Sequence, residues 1–254
     1  MMLEQIISIV REAGDIVLGA HNISAQTQEK GGAADLVTAY DLAVEKFLHE
    51  KLTPLMPEAH FLGEETGNDI DPNMGWTYIV DPIDGTTNFV RHLNQSAISV
   101  GLAKDGILEY GVVFDPFKNE MFSAQRGHGA FLNSSPIHVS DRPLEKGIFG
   151  MGTALYTREF LEPTMSVTTQ LFKRSCDFRR MGAAALDLCY VAAGRFDAFF
   201  EFSLAPWDFA AASLMITEAG GQLCTMQGEP VTITRCGIWA SNPINFDILK
   251  ELEF

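Results

Sequence analysis

The sequence predicts a mixed α/β protein, with an α+β first half over residues 1–140 and an α/β second half over residues 141–254. Three features of the pattern say so. Helical periodicity dominates the first fifty or so residues, strand-length apolar runs divided by turn signals follow, and from about residue 141 short strands and helices alternate. No internal repeat, low-complexity run or long linker separates the halves, so they are expected to pack tightly with a site between them.

Leu3, Ile6, Ile7, Val10, Ala13, Ile16 and Val17 recur at helical spacing with charges on the other side, which makes the first element an amphipathic helix lying on a core. A loop, EKGGAADLV with Gly31 and Gly32, leads to a second helix. Thr38, three residues before Asp41, marks its start as a near capping box; Leu42, Phe47, Leu48 and Leu52 read as its apolar face, and Pro54 and Pro57 end it. Residues 60–63 and 76–81 read as strands. SAISVGLAK and ILEYGVVF flank Asp105-Gly106, a two-residue hairpin turn, and EMFSAQ and GAFLN extend the pair as an antiparallel meander. In the second half, residues 182–193 and 206–219 carry the clearest helical patterns.

Composition narrows the function classes. The 254 residues are 46% hydrophobic, enough for a substantial core, and the net charge of −15 disfavours both nucleic acid and anionic membrane surfaces as partners. A small anionic substrate then needs a local positive charge, which bound divalent cations can supply. Cys176, Cys189, Cys224 and Cys236 form no C-x-x-C pair and read as buried free thiols, not as a zinc or redox site. Glu4, Arg11, Glu12 and Asp15 interrupt the N-terminal apolar residues, so neither a signal peptide nor a membrane span is expected and the location implied is cytoplasmic. Without an export signal, the N-x-S sequons at Asn22, Asn94 and Asn133 are chance matches.

The chemistry concentrates in WTYIVDPIDGTTNFV, residues 76–90. Pro82 cannot donate a ladder hydrogen bond and biases Asp81 toward extended geometry, so the strand is expected to stop at Asp81 and turn. Asp81 and Asp84 then flank one bend, with the Ile83 carbonyl as a third hard oxygen donor, a combination suited to a magnesium-type cation. Gly85 permits close backbone approach, and Thr86 and Thr87 offer hydroxyl and N–H groups to a phosphate. An ordinary Asp-rich turn explains the same residues. Glu64 and Glu65 after HFL, Asp208 after Pro206-Trp207, and Asp41 at its helix start have equally plain explanations as turn or cap residues. Sequence spacing by itself does not bring these acids together.

V-D-P-I-D-G-T-T-N-F, with G-E-E upstream, P-W-D-F-A-A downstream, D-L-V-T-A-Y-D at 35–41, R-R-M-G-A-A-A at 179–185 and T-E-A-G-G at 217–221, closely resembles the inositol monophosphatase family of magnesium-dependent, lithium-sensitive sugar phosphatases. The resemblance covers nearly the whole chain. It implies a layered αβαβα sandwich of the type shared with fructose-1,6-bisphosphatase, a homodimer, and an active site between the halves. Glu64, Asp81 and the Ile83 carbonyl match the ligands of one magnesium, and Asp81, Asp84 and Asp208 those of a second; a weaker third leans on Glu64, with Glu65 as an outer contributor. Asp84, Gly85 and Thr86 match substrate- and phosphate-contacting positions, Thr86 and Asp41 the pair that activates the attacking water, and Glu201 and Ala184 the contacts to the inositol ring. Two cations about 3.5–4 Å apart then stabilise attacking and leaving oxygens in an in-line displacement without a phosphoenzyme. Residues 91–99, R-H-L-N-Q-S-A-I-S, depart from the family pattern, so a different loop shape is expected there. His92 and Asn94 read equally as substrate contacts or as a solvated turn. Arg179 and Arg180 read either as orienting a second phosphate or, favoured by the excess of Asp and Glu, as pairing with surrounding acids.

The reading is thus a magnesium-dependent phosphomonoester hydrolase acting on myo-inositol monophosphate or a similar small sugar or polyol phosphate, with lithium as an inhibitor. The alternatives are the same chemistry on fructose 1,6-bisphosphate, histidinol phosphate or a 3′-phosphonucleotide, and, from another class, a non-catalytic binding protein. No G-x-x-x-x-G-K-[ST] occurs, which sets aside a P-loop enzyme.

Overall fold

The computed structural model describes residues 1–32, 35–67, 70–154 and 157–254. Along the chain run α1 (Met2–Leu18), β1 (Thr27–Gly32), β2 (Asp35–Thr38), α2 (Ala39–Leu52), β3 (His60–Gly63), β4 (Trp76–Asp84), α3 (Thr86–Val90), β5 (Ala97–Lys104), β6 (Ile107–Asp115), β7 (Glu120–Gln125), β8 (Ala130–Leu132) and β9 (Ser135–Ile137). There follow β10 (Ile148–Met151), α4 (Leu161–Phe172), β11 (Asp177–Arg179), α5 (Ala184–Ala192), β12 (Ala198–Leu204), α6 (Pro206–Glu218), β13 (Gln222–Thr225) and β14 (Cys236–Ser241). Strands β3 to β9 form a seven-stranded sheet in chain order, and a five-stranded sheet runs β11-β10-β12-β14-β13.

Three apolar clusters define the layers. Ile6, Val10, Val44 and Leu48 of α1 and α2 pack with Tyr78, Val80, Val100 and Val112 on one face of the larger sheet. Val113, Phe122 and Ala124 on its other face meet Leu188 and Ala211 of α5 and α6 and Phe199 and Ile238 of the smaller sheet. Val167 and Leu171 of α4 cover the far face of that sheet against Phe149, Phe200 and Trp239. The order is helix, sheet, helix, sheet, helix, the layered α/β sandwich expected from the sequence.

Local rules account for most elements. Asp105 (φ 50°) and Gly106 (φ 78°) both take the left-handed geometry of the two-residue hairpin turn between β5 and β6. Asn22, Asn94 and Asn133 of the sequons also sit at positive φ, where Asn is tolerated. Thr38 and Asp41 complete a reciprocal capping box.

Four expectations are corrected. The segment read as a loop before α2 contributes the antiparallel pair β1 and β2, with its Ala33-Ala34 tip outside the described residues. Leu42 is exposed, and α2 instead buries Asp41, Val44, Glu45, Leu48 and Leu52, so its inner face is partly acidic. Cys176 is exposed and Cys236 half-buried, while Cys189 and Cys224 are buried; all four are free thiols. Finally, β4 does not stop at Asp81 but continues to Asp84, because its pairing with β5 absorbs Pro82-Ile83 as a bulge: Asp81 opposes Ser99, and Asp84 opposes Ala97. Regular alternation would send residues 81 and 84 to opposite faces of the sheet; one extra residue returns both to the same side.

Helix α6 approaches the larger sheet closely because Gly101 and Gly111 face one another across β5 and β6. A Cβ on Gly111 would lie 2.5 Å from the Ala211 carbonyl oxygen, whereas one on Gly101 would make ordinary contacts at 3.5 Å. Gly111→Ala should therefore lower stability by about 1–3 kcal/mol in urea unfolding, through the backbone shift that overpacking forces, while Gly101→Ala should be nearly neutral; equal losses would contradict this account of the packing.

Candidate active site

A cavity of about 440 Å³ opens between residues of the two sheets, lined on one side by Glu64, Asp81, Ile83, Asp84, Gly85 and Thr86 and on the other by Gly182, Ala184, Glu201 and Asp208. The β4 bulge presents Asp81 and Asp84 on one rim. Asp81 accepts the Ile83 N–H at 3.0 Å. Asp84 reaches across to cap α5, accepting the N–H groups of Ala184 at 3.1 Å and Ala185 at 2.8 Å. Asp208, in the first turn of α6, accepts the Ala205 N–H at 2.6 Å.

The acids sense one another. Burial raises the Asp81 carboxyl well above the carboxylate range, and Glu64, Asp84 and Asp208 push it further. Asp84 is raised to about 7 by burial and by Glu64 and Glu201, against the pull of the Ala185 and Ala184 N–H groups. Asp208 is raised to about 7 by enclosure and by Asp84, although the Ala205 N–H and Arg235 oppose this. Glu201, on β12, is likewise raised to about 7 by enclosure and Asp208, while it accepts the Ala154 N–H at 2.8 Å. Both Asp208 and Glu201 keep a partly accessible edge toward the cleft.

Asp41 does not line the cavity but stands behind it. Thr86 Oγ1 lies 3.2 Å from Asp41 Oδ1 and 3.1 Å from the Ile83 carbonyl oxygen. Asp41 Oδ2 accepts both the Thr38 N–H at 2.8 Å and the Thr38 hydroxyl at 2.5 Å. Burial raises the Asp41 carboxyl, and the hydrogen bonds from Thr38 and Thr86 partly offset it. Gly85 holds φ 86°, and a Cβ there would come within 3.0 Å of the Gln95 and Gly182 carbonyl oxygens, so the turn into α3 requires glycine.

Carboxylates and a carbonyl are hard oxygen donors, and their mutual repulsion is what a divalent cation relieves; the set fits magnesium. Among the described residues, no three Asp, Glu, His or Cys side chains are already gathered into a closed cage, since backbone N–H groups hold Asp81, Asp84 and Asp208 in their present places.

A family model described as the inositol monophosphatase family matches residues 1–253. The chain belongs to the inositol monophosphatase family. A relative named Nus factor SuhB from Escherichia coli (strain K12) is 36% identical over 244 residues, covering 95% of this chain and 91% of the relative. The solved extragenic suppressor protein suhB from Bartonella henselae aligns with a TM-score of 0.90 at 33% identity, covering 98% of this chain and 96% of that one. SaIMPase-II with inositol monophosphate bound aligns with a TM-score of 0.81 at 30% identity, covering 96% and 90%. Membership in the inositol monophosphatase family supports phosphatase chemistry.

Within this inositol monophosphatase fold, the structure brings together Glu64, Asp81, Ile83, Asp84, Gly85, Thr86, Ala184, Glu201 and Asp208, with Asp41 joined through Thr86. Glu65 does not line the cavity; its N–H is bound by Glu45. His92 and Asn94 are exposed, both at φ 53°, and lie outside the cavity lining. Arg179 pairs with Asp177 at 2.5 Å, whereas Arg180, in no ion pair among the described residues, lines the cleft with a 3.3 Å contact from Nη2 to the Thr153 hydroxyl. It cannot follow its neighbour because consecutive residues at a strand end point in different directions.

Sequence reasoning missed Asp187, Arg235 and Asn88. Asp187 lines the cavity, with Oδ1 buried and, among the described residues, without a hydrogen-bond partner, and burial raises its carboxyl well above the usual range. Its signal was its place one turn beyond Ala184 on α5; Arg235 gave none. Asn88 ends the D-G-T-T-N motif, and its Nδ2 donates to the carbonyls of Gln95 and Met181, both at 2.8 Å, tying the turn to the segment before α5.

The raised acids make stability pH-dependent when no cation is bound. A carboxyl held above its ordinary pKa makes the folded chain bind protons more tightly than the unfolded one, so the contribution is complete below the ordinary carboxylate range and lost as pH rises through the folded value. With Asp84, Glu201 and Asp208 near about 7, the Tm of the chelator-treated protein should fall as pH is raised from about 5 to about 8. A Tm that climbs over this interval would contradict the electrostatics described.

Proposed function

We propose that this chain is a magnesium-dependent phosphomonoester hydrolase acting on myo-inositol monophosphate or a similar small polyol phosphate. The observation that carries the reading is the convergence of Glu64, Asp81, Asp84 and Asp208 on one cleft beside the Gly85–Thr86 turn, with Thr86 hydrogen-bonded to Asp41. In this reading Glu64, Asp81 and the Ile83 carbonyl hold one magnesium, Asp81, Asp84 and Asp208 a second, and Glu64 contributes to a weaker third. Bound magnesium supplies Lewis-acid polarisation of the phosphoryl oxygens and lowers the pKa of water.

The chain's own groups do the rest. The turn at Gly85 brings backbone close to the phosphate, and the first N–H groups of α3 lack intrahelical partners and can donate to it. Thr86 Oγ1 accepts a proton from the attacking water while passing its own to Asp41 Oδ1 at 3.2 Å. Asp41 is suited to this because burial makes its carboxylate a stronger base than an exposed one. Glu201 and the wall at Ala184 face the alcohol portion of the ester, where Glu201 accepts ring hydroxyls. Residues 1–140 and 141–254 act as the two units that close this cleft, and the protein is a cytoplasmic, lithium-sensitive homodimer. Among the described residues, no helix is long and apolar enough to cross a membrane.

A second reading has one specific support: the Escherichia coli relative carries the name Nus factor. A binding role of that kind would stand beside catalysis, and co-purification of a partner without substrate would reveal it.

Asp84→Asn should nearly abolish magnesium-dependent phosphate release while leaving circular dichroism unchanged; activity close to wild type would remove Asp84 from the site. On a panel of inositol 1-phosphate, fructose 1,6-bisphosphate, histidinol phosphate and 3′-phosphoadenosine 5′-phosphate, kcat/KM should be highest for inositol 1-phosphate and should vanish without magnesium. Preference for another ester would change the substrate and keep the mechanism.

A further inference from the structure

Glu45 is an acid the proposed chemistry does not use. It lies four residues after Asp41 on α2, one helical turn along the same inner face, and is 1% exposed. Among the described residues, no basic side chain pairs with it. Its Oε2 accepts the Glu65 N–H and its Oε1 the Thr66 N–H, both at 2.8 Å. The carboxylate therefore grips the turn that follows β3 with both oxygens. Gly63 makes room for it, because a Cβ there would fall on the Glu45 carboxylate.

The turn so held is the one that carries Glu64. Gly63 sits beside Val80 in the parallel pairing of β3 with β4, and the Glu64 N–H donates to the Val80 carbonyl at 3.1 Å. Asp81 is the next residue. Glu64 is thus fixed on its N-terminal side by the strand that bears Asp81, and on its C-terminal side by Glu45. Since the same helix holds Asp41 against Thr86, α2 braces both the Thr86–Asp41 pair and the Glu64 turn from behind the cleft.

Building on the reading of the cleft as a cation site, we propose that Glu45 is a positioning residue for divalent cation binding. By clamping the Glu65 and Thr66 amides it sets where Glu64 stands relative to Asp81, and so tunes cation affinity without touching the cation. Groups that orient metal ligands from behind commonly act this way. A buried carboxylate kept by two amides, with no cationic partner among the described residues, is also an expensive device for simply closing a turn, which a neutral residue could do.

Glu45→Gln tests the idea, since it keeps the side chain's shape but turns an NH2 group toward one of the two amides. Magnesium binding to the metal-stripped full chain is measured by titration calorimetry, beside the magnesium concentration that gives half-maximal phosphate release from inositol 1-phosphate. The expected result is a magnesium Kd raised by about 10- to 100-fold, with the half-maximal concentration raised in parallel and kcat at saturating magnesium reduced by a smaller factor. If Glu45→Gln fails to fold, Gly63→Ala pushes the same carboxylate from the other side and should weaken magnesium binding likewise. A folded Glu45→Gln protein with a lowered Tm and an unchanged magnesium Kd overturns the proposal and leaves Glu45 a structural residue. Calorimetry also separates this result from the functional reading. Wild-type protein that binds magnesium but hydrolyses no ester sinks the phosphatase assignment while the Glu45→Gln shift still decides the role of Glu45; wild-type protein that binds no magnesium overturns both.

Discussion

Enclosing several carboxylates of like sign in one cleft is the constraint around which the rest of this structure is arranged. A buried carboxylate is costly unless it is neutralised, paired or richly hydrogen-bonded. Two solutions coexist in the fold. Away from the cleft, buried acids lie beside basic side chains: Asp115 with Lys118 at 2.7 Å and Asp197 with Arg142 at 3.1 Å. At the cleft, Asp81, Asp84, Asp208 and Glu201, and Glu45 behind them, are held by backbone N–H groups instead. Amides orient a carboxylate without cancelling its charge, so these acids retain the field that attracts a cation.

The architecture supplies those amides from helix starts and turns. Asp84 caps α5, Asp208 closes the first turn of α6, and the Thr38–Asp41 box opens α2, so several helix N-termini face the acids and stabilise negative charge. Asp84 and Asn88 both cross to the segment around α5, which makes the contacts that hold the acids also the contacts that join β4 and α3 to α5. The facing glycines of β5 and β6 admit α6 closely enough for its first turn to reach the same cleft.

On the proposed function, this arrangement also explains how an acidic protein would handle an anionic ester. The charge of −15 repels phosphate at long range, yet the cleft gathers hard oxygen donors that suit a divalent cation, and Arg180 and Arg235 at its lining add the only basic side chains there among the described residues. Relatives named for inositol monophosphatase activity and relatives named as Nus factors share this fold. The chemistry of the cleft favours catalysis here, because a surface used only for binding has no need of buried, mutually repelling acids.

Much of the fold was legible because the signals are local. Helical spacing in α1, the Asp105-Gly106 turn, the Thr38 cap and the alternation of elements after residue 141 depend on interactions a few residues long. The motif around Asp81 and Asp84 was equally visible as hard-oxygen chemistry. What local pattern misjudged was decided by partners far away in the chain. Pro82 looked like a strand end, but pairing with β5 carried β4 through it as a bulge, and that bulge is what turns Asp81 and Asp84 to one side. Leu42 looked buried but is exposed, and the inner face of α2 carries Glu45 as well, because hydrophobicity predicts which helix face is inward unless a buried acid has amides waiting for it. By itself the sequence determined the elements and the kinds of donor atom. Only the tertiary structure decided that residues 64, 84 and 208 meet at one cleft with residue 41 behind it, because sheet register and helix packing act over separations at which no periodicity in the chain carries information.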